Sequence, residues 1–107
     1  MTRNDLREIL LEAVEKGLSS LGDSPKQAMM FHLESSFGLS KKKIPTNLKE
    51  FADALEKIFG PGASHVEKLI VEHLYGKLGL EFKEEEKWSF VIYVDNARKH
   101  MAAEKDV

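Results

Sequence analysis

The side chains that could bind a metal ion are few in this sequence and poorly spaced. Its four histidines are His32, His65, His73 and His100, and it contains no cysteine. His65 and His73 would lie about 12 Å apart along a helix, whereas two histidines that share a zinc ion on one helix face are four residues apart. We therefore predict no metal site and interpret the histidines as surface or partly packed residues.

The residues needed for covalent or acid–base catalysis are not arranged for it either. A serine nucleophile would need a strained turn such as Gly-x-Ser-x-Gly, which is not present. The stretch Gly60-Pro61-Gly62 lacks the preceding strand and the lysine of a phosphate-binding loop. None of the 18 acidic residues sits in an apolar setting that would tune it for proton transfer. We predict a protein that is not an enzyme, with no catalytic residue and no cofactor.

Two charged runs could contact a partner. Lys41-Lys42-Lys43 is the candidate for phosphate contact, and with Lys49 or Lys26 on the same face it would suit a nucleic acid. The net charge of −2 weighs against this, because nucleic-acid binding usually requires a basic surface. The acidic run Glu84-Glu85-Glu86 suits a solvated connection or, alternatively, contact with a basic partner.

Apolar surface is concentrated near the C-terminus, in Phe82, Trp88, Phe90, Ile92 and Tyr93. Large exposed apolar patches mark protein interfaces, and Trp and Tyr are enriched at binding hot spots. Trp88 and Phe90 also fit a simpler role, in which they cap the core. Ile92 and Tyr93 fall off the main apolar stripe of this segment. We therefore predict a protein interface at Trp88, Ile92 and Tyr93.

Apolar residues recur at three- and four-residue steps, which predicts amphipathic helices. In the first helix, over about residues 5–21, Gly17 indicates a close approach by another helix, since an interior glycine costs about 1 kcal/mol relative to alanine. The second helix begins at Ser24, with Gln27 completing a capping box, and ends at Gly38. Because it is apolar nearly all round, we expect it to be central in the bundle.

The clearest helix boundary is the run from Phe59 to Ser64. Gly60 can adopt the left-handed conformation that closes a helix, and Pro61 prevents its continuation. Ser64 and Glu67 form a second capping box for the helix that follows. The third and fourth helices are therefore predicted over residues 47–59 and 64–78. The fourth has a broad apolar surface and is expected to be central as well.

Residues 80–94 admit two interpretations. Trp88 to Val94 is rich in strand formers, which would give a helical core with a C-terminal β-hairpin wing. With Ser89 as a cap, however, Phe90 and Val94 fall at helical spacing, and no Asn-Gly or Asp-Gly turn is present. We prefer a fifth helix, followed by a frayed tail over residues 102–107.

The predicted fold is a single all-α domain over residues 1–107, a compact bundle of about five helices with helices two and four central.

The order of these elements resembles a known family. The most distinctive parts are Ile58-Phe59-Gly60-Pro61-Gly62-Ala63 and Leu74-Tyr75-Gly76-Lys77-Leu78-Gly79-Leu80, within a likeness that covers about residues 6–98. They resemble a small archaeal family of uncharacterised helical domains, described as output domains of signal-transduction systems. The resemblance implies an archaeal, cytoplasmic and non-enzymatic module, and it brings no catalytic or binding residues.

The sequence leads to one expectation about function and one alternative. No apolar segment is long enough for export or for spanning a membrane, so we expect a cytoplasmic protein with no membrane partner. We predict a non-enzymatic protein-binding or signalling output module with a protein partner, and we leave a homodimer open. The alternative is a nucleic-acid-associated regulator that uses the Lys41–Lys43 patch.

Overall fold

The structure, a computed structural model, describes the backbone of residues 3–105 and the side chains of residues 6–100. Within this part of the chain it contains five α-helices and no β-strand, which confirms the predicted all-α bundle of about five helices. The helices are α1 (Arg3–Ser19), α2 (Asp23–Phe37), α3 (Leu48–Phe59), α4 (Ala63–Leu78) and α5 (Phe90–Lys105). Short 3-10 turns at Lys41–Thr46 and Gly60–Gly62 precede α3 and α4. None of these helices is long and apolar enough to cross a membrane.

The centre of the bundle is the packing of α1 against α4, the most extensive contact between two helices. Within this packing, a Cβ placed on Gly17 would stand 2.6 Å from Ile70 Cγ1 and 3.1 Å from the Ile70 nitrogen. The close approach expected at Gly17 is therefore present, and Ile70 is the residue that requires it. α4 also contacts α3 and α5, so the fourth helix is central as predicted. Phe51 of α3 and Phe90 of α5 are both buried, with ring centroids 5.7 Å apart.

α2 lies at the edge of the bundle, which corrects the prediction that the second helix is central. Its buried residues are Met29 and Leu33, while Phe31 is 71% exposed. Phe31 lies two residues from each of them, about 200° around a helix of 3.6 residues per turn, so it faces away from the core. The apolar side chains of α2 do surround the helix, but a helix at the edge of a bundle buries only one stripe.

The two predicted capping boxes do not form. α2 begins at Asp23, one residue before Ser24, and its N-cap residue is Gly22. α4 likewise begins one residue before Ser64, whose hydroxyl donates to the Pro61 carbonyl at 3.5 Å. Each serine is already helical, whereas a side-chain cap requires a residue outside the helix in an extended conformation.

The cap predicted for α5 is present. Ser89 Oγ accepts the Ile92 N–H at 3.3 Å, and the Tyr93 N–H donates to the Ser89 carbonyl at 3.1 Å. The helix continues to Lys105. The predicted fraying of residues 102–107 stays a prediction, and residues 106 and 107 lie outside the described part of the chain.

Residues 79–89, which we call the connecting loop, join α4 to α5. They form no strand, so the alternative of a β-hairpin wing is wrong. Gly79 ends α4 with a φ of 70°, and the Leu80 N–H donates back to the Tyr75 carbonyl at 2.9 Å, a pattern typical of a glycine-terminated helix. The strand-forming residues that follow are instead the first turns of α5, where Phe90 is buried.

Replacing Gly17 with alanine should destabilise the protein, although alanine is the better helix former. The new Cβ would meet Ile70 at 2.6 Å. Overpacking of this kind costs about 1–3 kcal/mol, against a gain in helix propensity of about 1 kcal/mol. We expect a lower free energy of unfolding in urea for Gly17→Ala. Gly76→Ala in α4 is the matched control, since its Cβ would meet nothing within 4 Å. This substitution should raise the free energy of unfolding by about 0.5–1 kcal/mol. Equal gains at both positions would contradict the close packing of α1 on α4.

The three serines predicted as caps should respond differently to alanine. Ser89→Ala removes the acceptor of the Ile92 N–H and should lower the free energy of unfolding by about 1 kcal/mol. Ser24→Ala and Ser64→Ala remove no cap and should stay within about 0.5 kcal/mol of the wild type. Thermal unfolding followed by circular dichroism measures all three. Losses of the same size at the three sites would contradict a side-chain cap at Ser89 alone among them.

Candidate functional site

A groove of about 350 Å³ lies between α4, the connecting loop and the start of α5. Its apolar lining consists of Val71, Phe82, Trp88, Phe90 and Tyr93. Its polar lining consists of Ser64, His65, Glu67, Lys68 and Glu84. Binding sites typically combine an apolar lining with a few convergent polar groups. We call this feature the aromatic groove and treat it as the candidate functional site.

Tyr93 holds the connecting loop that forms one wall of the aromatic groove. Its hydroxyl accepts the Glu85 N–H at 2.7 Å and donates to the Glu85 carbonyl at 3.2 Å. The Trp88 N–H donates to the same carbonyl at 3.1 Å. One side chain thus binds both polar groups of the Glu85 backbone, and it fixes the turn that presents Trp88.

Tyr75 supports Tyr93 from α4. The Tyr75 hydroxyl donates to the Tyr93 carbonyl at 2.8 Å and accepts a hydrogen bond from Asn96 Nδ2 at 3.1 Å. Burial raises the pKa of Tyr75 above its ordinary value of 10.0. The hydroxyl therefore stays protonated at neutral pH and remains the donor in the bond to Tyr93.

Four aromatic rings form a continuous cluster, and three of them, Phe82, Trp88 and Tyr93, line the aromatic groove. Phe82, Trp88 and Tyr75 each lie against Tyr93, with ring centroids 5.6, 5.2 and 6.3 Å away respectively. The Trp88 and Tyr75 rings stand nearly edge-on to Tyr93, a favoured geometry for aromatic pairs. Trp88 precedes the Ser89 cap and Tyr93 is the fourth helical residue, so their contact is the hydrophobic staple of α5.

Lys68 and Glu84 form an ion pair at the mouth of the groove, with Nζ 2.7 Å from Oε1. The hydrogen bond and charge of Glu84 raise the pKa of Lys68. Both side chains are exposed, and exposed ion pairs of this kind contribute little to stability. A competing charged group could therefore displace Lys68 or Glu84 from this ion pair at little cost in stability.

Glu67 is the carboxylate whose surroundings disfavour its charge. It is half-buried on α4, one turn from the buried residues Ala63 and Val71. Burial raises the pKa of Glu67 above 4.5, and the negative charge of Glu56 adds to the effect. Among the side chains that the structure describes, no cation pairs with Glu67. Within residues 6–100, therefore, the groove contains a carboxylate without a counter-ion.

The three residues predicted as a protein interface have different environments. Ile92 is 43% exposed, and Trp88 is half-buried in the lining of the aromatic groove. Tyr93 is only 9% exposed, less than expected for a surface residue, because its ring packs in the aromatic cluster and its hydroxyl binds Glu85, although it still lines the groove. Partner binding at Trp88, Ile92 and Tyr93 stays a prediction.

The lysine patch lies in the 3-10 turn Lys41–Thr46, apart from the residues that line the groove. Lys41 forms an ion pair with Glu15 of α1, and the side chains of Lys42 and Lys43 are exposed. Of the two lysines expected to join them, Lys49 is exposed and Lys26 is half-buried. Phosphate contact by Lys41–Lys43 stays a prediction.

The sequence patterns did not indicate the aromatic groove, because it depends on where the non-periodic connecting loop lies. One signal was present: Glu67 interrupts the apolar stripe of α4, one turn after Ala63 and one turn before Val71.

Across residues 6–100 no group of three or more histidine, aspartate or glutamate side chains could hold a metal ion.

Comparisons of the chain with protein-family models, curated proteins and solved structures give no match. Function is therefore inferred from the geometry and charge of the aromatic groove.

Removing the Tyr93 hydroxyl should loosen the connecting loop without unfolding the bundle. Tyr93→Phe keeps the ring but leaves the Glu85 N–H without its partner, so we expect a loss of about 1 kcal/mol in stability. Amide hydrogen exchange at Glu85 should become markedly faster. The Leu80 amide, which donates to Tyr75, serves as the internal control and should keep its protection. Unchanged exchange at Glu85 would mean that Tyr93 does not hold the loop.

Proposed function

We propose that this protein is a non-enzymatic protein-binding module of the signalling output kind, and that it binds its partner at the aromatic groove and the adjoining surface of α5. One observation carries the proposal: the groove presents the half-buried Trp88 in a fixed position, on the segment that also exposes Ile92. Tryptophan is among the residues most enriched at binding hot spots.

The fixed position of Trp88 supports binding of a protein surface. The staple contact with Tyr93 and the Trp88 N–H bond to Glu85 hold the segment before any partner arrives. A pre-ordered contact residue lowers the entropy lost on association. The partner would meet an apolar centre with a charged margin at Glu67, Lys68 and Glu84, the usual anatomy of an interface.

The polar residues of the groove do not form a catalytic pair. Ser64 and His65 both line it, but adjacent residues on a helix do not face each other. The Ser64 hydroxyl donates to the Pro61 carbonyl, and no other described side chain takes its proton. This arrangement supports a binding role over hydrolysis or group transfer.

Affinity capture of the tagged protein from a lysate of its own organism tests the proposal. We expect specific proteins to remain bound after nuclease treatment and to be lost, by about tenfold or more, with Ile92→Asp, because burying an unpaired charge in an apolar contact is strongly unfavourable. Phe31→Asp is the matched control, since Phe31 is the more exposed of the two and lies on α2. Tyr93 is left unchanged because it is buried.

Equal loss with Ile92→Asp and Phe31→Asp, or no nuclease-resistant protein at all, would refute the proposal. The same experiment addresses the alternative, a nucleic-acid-associated regulator, which the exposure of Lys42 and Lys43 favours. For that function, material bound before nuclease treatment should be nucleic acid. Its binding should fall steeply with salt and with the double substitution Lys42→Glu and Lys43→Glu.

A further inference from the structure

We infer that the aromatic groove receives a positively charged side chain of the partner, an ammonium or guanidinium group on an apolar stem. This inference rests on the proposed function and names the chemistry that the partner must supply. The volume of about 350 Å³ is near the lower end for ligand pockets, about 300–1,000 Å³. It is suited to one inserted side chain.

The rings of the groove suit a cation with an apolar stem. Phe82, Trp88 and Tyr93 line the same space, and their centroids lie 5.2–5.6 Å apart along the cluster. Aromatic faces attract ammonium and guanidinium groups within about 6 Å of the ring centroid, tryptophan most strongly. The methylene groups of the same side chain would replace water on Val71 and Phe90.

The charges around the groove have an excess of carboxylates. The negative charges of Glu84 and Glu72 raise the pKa of Lys68, and the negative charge of Glu56 raises that of Glu67. In the described lining of the groove two glutamates, Glu67 and Glu84, accompany a single lysine, Lys68, and Glu56 and Glu72 add negative charge from outside the lining. A cationic group would be attracted, and a carboxylate or phosphate would be repelled.

Glu67 and Glu84 give the incoming cation two acceptors of different kinds. Glu67 has no counter-ion within the described residues, and its half-buried charge would gain from one. Glu84 already accepts a cation, Lys68, through an exposed ion pair. A guanidinium could displace Lys68, because it binds a carboxylate through two parallel hydrogen bonds where an ammonium acts as a point charge.

Trp88 is the single tryptophan of the chain, so its fluorescence reports on the groove. The test titrates the full-length protein with N-acetyl-arginine methylamide and, in parallel, with the citrulline analogue, which has nearly the same shape without the charge. We expect a saturable change of Trp88 fluorescence with the arginine compound that weakens with salt, and little change with the citrulline compound.

Three substitutions should change the affinity for the arginine compound in opposite directions, which a purely structural role of these residues would not produce. Glu67→Gln and Glu84→Gln should each weaken binding of the arginine compound by about three- to fivefold. Lys68→Gln removes the competing cation and should strengthen it by a similar factor. Glu34→Gln, which removes an exposed carboxylate of α2, is the control and should leave the affinity unchanged.

Each remaining outcome overturns the inference. An equal response to the arginine and citrulline compounds would assign the groove to a neutral group. An affinity that does not respond to Glu67→Gln, Glu84→Gln and Lys68→Gln, or the absence of any saturable change, would exclude a cation site. If capture of the partner still depends on Ile92 in that case, the protein-binding function stands and only the chemistry assigned to the groove is wrong.

Discussion

The contact between Gly17 and Ile70 sets the geometry on which the rest of the bundle depends. Because Gly17 has no side chain, the backbone of α1 lies directly on Ile70, and the packing of α4 on α1 is the most extensive contact between two helices. α4 then serves as the common support for α3 and α5. The neighbours of Ile70 along α4 face other directions: Glu67, Lys68 and Val71 line the aromatic groove. The turn of α4 that is fixed by α1 is therefore also the turn that presents the candidate site.

A second constraint converts the connecting loop into a wall of that site. Eleven residues without regular structure would ordinarily be variable in position, since loops lack the repeated backbone hydrogen bonds of helices. Here the Tyr93 hydroxyl binds both polar groups of the Glu85 backbone, and Tyr75 holds the Tyr93 carbonyl from α4. The loop is thereby tied to α5 through the Tyr93 side chain, which Tyr75 in turn links to α4, and Trp88 is placed against Tyr93.

The features that depend on local periodicity or backbone chirality were predictable from the sequence. These include the five helices, the close approach at Gly17, the cap at Ser89 and the glycine end of α4. The position of α2 at the edge of the bundle was not predictable, because an apolar surface on all sides of a helix does not indicate which stripe is buried. The burial of Tyr93 could have been predicted. With Ser89 as the N-cap, Trp88 and Tyr93 occupy the two positions of a hydrophobic staple. The aromatic groove could not have been predicted from the sequence, since it forms only where the connecting loop packs against α4.

Phe31 and Trp88 show why exposure alone does not identify a functional residue. Phe31 is the more exposed aromatic, yet its exposed neighbours one turn away on α2 are Gln27, Ala28, Glu34 and Ser35, none of them large and apolar, and no groove residue lies on that helix. Trp88 is less exposed, but it lies beside other rings and near Glu67, whose charge is disfavoured where it stands. A half-buried carboxylate that pairs with no cation among the described side chains is unfavourable in the free protein and becomes favourable when a cation of the proposed partner enters. It is this difference between the free and the bound state that gives the aromatic groove a basis for recognition.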